Sequence, residues 1–139
     1  MMQNIGLLAL RLAVGGLFIY HGWGKLADMG ATVGMFESFG FPAAAFFVWL
    51  VALVELLGGV AVLLGVFVRA AAKLLAIVML VALLFVHTKM PFGAAELPIA
   101  LLGANLALLG LGGGAWVITK KDCTCMVCTP KMEETKSAV

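Results

Sequence analysis

The chain has 139 residues, 64% of them hydrophobic and only 12% charged, whereas soluble domains carry roughly 25% charged residues. A mean hydropathy of +1.16 in so short a chain leaves more apolar surface than one core hides, which identifies an integral membrane protein. Nine Lys and Arg against seven Asp and Glu give a net charge of +2, which excludes a nucleic-acid-binding face, and an odd set of three cysteines near one end excludes a disulfide scaffold.

A helix needs roughly 20 mostly apolar residues to cross about 30 Å of hydrocarbon. Four stretches qualify: Asn4 to Tyr20, Ala43 to Val68, Ala70 to Val86 and Ala94 to Ile118. Only helices satisfy their own backbone groups in lipid, and no short alternating strands are present, so the fold class is all-α: an integral membrane four-helix bundle. Residues 1–119 form this transmembrane domain, and residues 120–139 form a polar, cysteine-containing tail. The first stretch lacks a basic leader and continues into Tyr20-His21-Gly22-Trp23 instead of a small-residue cleavage site, so it is read as a retained span. Between the first two spans, Trp23, Leu26, Met29, Val33, Phe36 and Phe39 recur every three or four residues. That spacing predicts a short amphipathic helix at the membrane interface; an irregular loop with its aromatics in the headgroup layer is the other reading. Gly112-Gly113-Gly114 predicts an early end to the fourth helix, with Trp116 beyond it as an interfacial anchor.

Lysine and arginine set the expected orientation. Arg69, Lys73, Lys120, Lys121, Lys131 and Lys136 fall on the side shared by both termini, against Lys25 and Lys89 on the other. Both termini are therefore expected in the cytoplasm, and the tail in a reducing compartment.

Polar residues within the spans carry the most chemistry, because each needs a partner or a wet cavity. Arg11 lies about 11 Å from the inner end of its span and Glu55 about 15 Å from the inner end of the second, at 1.5 Å per residue. An unpartnered Arg at a helix centre costs about 2.5–3.5 kcal/mol, so the matched depths predict an Arg11–Glu55 ion pair. Asn105 falls at a similar depth and completes a predicted buried polar node, which either fixes helix register or carries chemistry. Gly15, Gly58 and Gly59 beside it predict close helix approach.

A second group gathers at the outer ends. His21 closes the first span and His87 the third, with Lys25, Lys89 and Glu96 just beyond. If the first helix continues past Tyr20, then Arg11, Gly15, Phe18, Gly22 and Lys25 share one face, and Lys25 looks into the bundle. His21, Lys25 and His87 thus form a candidate site for a quinone carbonyl or its proton, although an interfacial histidine equally serves to satisfy a helix C-terminus. In the tail, Cys125 and Cys128 have the C-x-x-C spacing of a soft-metal or dithiol site, with Cys123 as a third thiolate. Tetrahedral zinc takes four ligands, so a metal there would need a water, a partner subunit or a second copy of the chain to complete it; a mobile end and an acylated end are the competing readings.

Arg11-x-x-x-Gly15-x-x-Phe18-x-x-His21-Gly22-x-x-Lys25, Glu55-x-x-Gly58-Gly59, Arg69, His87 and Asn105-Leu106 together resemble the DoxX family over about residues 5 to 118. The resemblance implies a small four-span protein of the bacterial inner membrane. Related subunits belong to a thiosulfate:quinone oxidoreductase, so it also implies a link to quinone-dependent sulfur or thiol chemistry. The tail cysteines depart from that pattern and receive no role by analogy. The chain has no Rossmann fingerprint, haem motif or full iron–sulfur set, so no intrinsic redox cofactor is expected. The expectation is a subunit that works with other membrane or peripheral redox subunits, or as a homo-oligomer, exchanging a quinone within the lipid bilayer. The alternative is a non-catalytic assembly or anchoring subunit. A small solute carrier is a third reading, against which the spans show no broken-helix inverted repeat.

Overall fold

A computed structural model of the protein describes residues 2–85 and 95–118; His87, Lys89, Cys123, Cys125 and Cys128 lie outside the described residues. The described chain forms five helices: α1 (Met2–Ala27), α2 (Met29–Ser38), α3 (Ala44–Leu64), α4 (Val68–Phe85) and α5 (Glu96–Leu111). The all-helical membrane architecture is as expected. Three helices, α1, α3 and α4, are long and apolar enough to cross a bilayer. The fourth predicted span supplies an apolar helix of 16 residues, about 24 Å long.

The helix boundaries differ from the expected ones for local reasons. α1 continues seven residues past Tyr20, so Trp23 and Leu26, read as part of the interfacial segment, belong to the spanning helix. Asp28 then breaks the path and caps α2, its carboxylate accepting from the Ala31 backbone N–H at 3.1 Å, which satisfies one of the unpaired donors of a first helical turn. α2 is a helix of ten residues, and its Met29, Val33 and Phe36 pack against Ala44 and Val48 at the start of α3. α3 stops at Gly65, whose φ of +77° is the left-handed cap that suits glycine, instead of running to Val68. α5 ends at Gly112, as the glycine run predicts.

Two antiparallel pairs build the bundle, α1 on α3 and α4 on α5. The first pair meets backbone to backbone. A Cβ on Gly15 would stand 2.7 Å from the Gly59 carbonyl oxygen, and one on Gly22 would stand 2.9 Å from the Leu56 nitrogen. Gly58 points the other way, toward the Leu75 side chain of α4. Phe18, Val62, Leu75 and Leu108 close the core between the pairs, while Leu12, Leu57, Leu80 and Leu106 lie on the outer surface. Apolar residues both inside and outside are what a lipid-solvated bundle requires.

Candidate functional site

Arg11, on the inward face of α1, is only 2% exposed. Its guanidinium donates to the carbonyls of Val62 (2.9 Å) and Leu63 (3.0 Å) in the last turn of α3. It also donates to those of Gly113 (3.1 Å) and Trp116 (2.5 Å), beyond the end of α5. The last carbonyls of a helix have no partner within it and carry the negative end of its dipole. A planar, five-donor guanidinium meets that demand without any carboxylate. The predicted Arg11–Glu55 pair is therefore not formed. Packing Gly15 on Gly59 sets Arg11 level with Val62, seven residues and about 10 Å along α3 from Glu55, where free carbonyls outnumber any side-chain acceptor.

Glu55, also 2% exposed, pairs with Lys25, whose Nζ donates to Oε2 at 2.5 Å. The same antiparallel register explains it. Gly22 abuts Ala52 and Leu56, and helical side chains lean toward the preceding turn, so the Lys25 ammonium comes back to the level of Glu55. The orientation expected for Lys25 from its helical face is the one observed. Asn105 is fully buried, but its amide donates to its own helix, at the Leu101 carbonyl (2.8 Å), and its Oδ1 has no partner among the described residues. Arg11, Glu55 and Asn105 are thus all buried, yet they do not form the single node expected. Arg11 belongs to one end of the bundle and Glu55 to the half nearer α2.

Glu55, Lys25 and His21 together border a partly open cavity of about 500 Å³ lined by all five helices, within the ~300–1,000 Å³ range of small-molecule sites. The other walls are apolar, among them Phe18, Val54, Met79 and Leu101. Phe41, between α2 and α3, lies 5.1 Å from Phe36 and 5.1 Å from Phe85 by ring centroids, so an aromatic cluster joins α2 to α4 over the pocket. His21 makes an edge contact with Tyr20 at 5.6 Å and reaches the pocket from the same turn of α1 as Phe18. Among the described residues no group of three or more His, Cys, Asp or Glu side chains is placed to hold a metal.

Sequence reading missed the Lys25–Glu55 pair. The available signal was the surplus of cations: once α1 continues past Tyr20, two basic residues on its inward face face one buried carboxylate, and only one of them can take it.

The family model described as DoxX matches residues 6–88. The chain is 38% identical over 110 residues to CatD of Bacillus subtilis (strain 168), provisionally named an oxidoreductase, covering 77% of this chain and 81% of that one. It is 32% identical over 124 residues to the inner membrane protein YqjF of Escherichia coli (strain K12), covering 86% and 93% respectively. No solved structure gives a significant match.

Proposed function

The chain belongs to the DoxX family, and from that premise we propose that it is a redox-associated subunit of the bacterial inner membrane whose pocket holds a quinone headgroup. The observation that carries this reading is the ion pair of buried Glu55 with part-buried Lys25, bordering, with His21, a cavity of about 500 Å³ whose other walls are apolar. A quinone ring is flat and apolar with carbonyl oxygens at its edge. The aromatic and aliphatic walls suit the ring, and the Lys25 ammonium suits a carbonyl acceptor. Quinone reduction consumes two electrons and two protons. The electrons come from a flavin or metal centre on a partner subunit. Lys25 and Glu55 hold an exchangeable proton beside the carbonyl, and His21 is the third polar side chain at the pocket. The likeness to a provisionally named oxidoreductase supports this reading.

The test is quinone binding by the purified protein in lipid nanodiscs. Wild type should bind a short-chain benzoquinone, and the double variant Lys25→Met with Glu55→Leu, which strands neither charge, should weaken that binding at least tenfold while leaving the protein folded and monodisperse. Equal affinity in both proteins would sink the quinone site and favour a ligand-free anchoring subunit. We also place both termini in the cytoplasm, from the six-to-two bias of basic residues. A reporter active only outside the cytoplasm should be silent after Val139 and active near Thr32, and the reverse pattern would invert the placement.

A further inference from the structure

We infer that the ligand reaches the pocket sideways from the bilayer, through the seam between α3 and α4, and therefore carries a long apolar tail that stays in that seam. The inference rests on the quinone reading above and adds the direction of entry and the class of quinone.

Three observations point to the seam. First, α3 and α4 are consecutive helices joined by the short turn at Gly65–Phe67, and they touch where Gly58 meets Leu75. Beyond that contact the cavity lies between them, bordered by Leu50 and Val54 of α3 and by Ile77 and Val81 of α4. Second, three of those four residues line the cavity and are still substantially exposed: Leu50 is 46% exposed, Ile77 49% and Val81 37%. Met35 of α2 (40%) and Leu97 of α5 (42%) are exposed lining residues too, but only at the α3–α4 seam does the exposure fall on two membrane-spanning helices that flank one gap, where lipid chains meet the cavity. Third, the polar groups stand away from the seam, on α1 and on the inward face of α3, with Glu55 only 2% exposed. The route past α2 instead runs through the packed rings of Phe36, Phe41 and Phe85. A pocket that is polar at its inner limit and apolar where it meets lipid fits a molecule with a polar head and an apolar tail, entered head first.

The test compares two probes in nanodiscs: a benzoquinone bearing a ten-carbon chain and the same ring without the chain. Ile77→Trp narrows the seam; Leu80→Trp, at an exposed residue of α4 outside the pocket lining, controls for a bulky ring in lipid. Ile77→Trp should weaken the tailed probe at least tenfold more than it weakens the tailless one, with Leu80→Trp affecting neither. Equal effects on both probes, or none, would overturn lateral entry and leave the quinone pocket standing. Failure of wild type to bind either probe defeats the quinone reading itself. Should Ile77→Trp not fold, a photoreactive diazirine at the end of the tail gives the answer in wild type. Adducts on Leu50, Ile77 or Val81 support the seam, and adducts on α2 overturn it.

Discussion

Arg11 and Lys25 lie on one face of the same helix, four turns apart, and their surroundings differ in kind. At the Arg11 end four of the five guanidinium donors meet main-chain carbonyls, α3 and the segment after α5 are tied together, and glycine packing leaves no space. At the Lys25 end the cation meets a carboxylate, and both border a cavity. A buried charge satisfied by backbone and close packing holds a fold together. A buried pair beside empty space retains capacity to meet a ligand, which is why the second end is the candidate site.

The largest effect should come from breaking the Arg11 end. Arg11→Leu strands four carbonyls, and hydrogen bonds to a charged group are worth about 1.5–3 kcal/mol each, enough to exceed the margin of a small bundle. The expected outcome is loss of monodisperse protein in detergent. Arg11→Lys should recover only part of it, because a compact ammonium with three donors does not span two segments as the guanidinium fork does. Full recovery by lysine would show that charge alone matters there.

The Lys25 end should break differently. Glu55→Ala leaves Lys25 uncompensated, a loss of up to about 3–5 kcal/mol for a fully buried pair and less here because Lys25 is 21% exposed. Combining Lys25→Met with Glu55→Leu should restore thermal stability in detergent while quinone binding stays lost. Strictly additive destabilisation would mean that the two side chains do not interact.

Glycine substitutions sharpen the contrast at intermediate size. A Cβ on Gly59 meets the Gly15 carbonyl oxygen at 2.9 Å and the Ile19 nitrogen at 3.0 Å, whereas one on Gly58 meets only the end of the Leu75 side chain at 3.0 Å. Gly59→Ala should therefore destabilise by about 1–3 kcal/mol and Gly58→Ala by less, as read by thermal unfolding. Equal losses would remove the backbone contact as the element that fixes the α1–α3 register.

The smallest effect should fall at His21, which is partly exposed at the pocket. His21→Phe should leave the fold intact and weaken quinone binding about three- to tenfold, the range of one neutral hydrogen bond. An unchanged affinity would remove His21 from the site.

By itself the sequence determined the solvent, the helices and their faces. Composition required a bilayer, and the 3.6-residue period put Arg11, Gly15, Phe18, Gly22 and Lys25 on one inward stripe. Polar side chains in apolar runs marked Arg11, Glu55 and Asn105 as buried, and Gly112 marked the end of α5. These are properties of single segments, and residue order suffices to read them. Which polar group met which was decided only by tertiary structure. Partner choice depends on how far one helix slides against another and on where each helix stops. Gly15 locked against Gly59, together with the α3 terminus at Gly65, moved Arg11 to the carbonyls of Val62 and Leu63 and gave Glu55 to Lys25. Backbone acceptors have no residue signature, since every position carries a carbonyl and only a helix end leaves it free. The cavity has none either, because it is the space left between two helix pairs once their contacts are made.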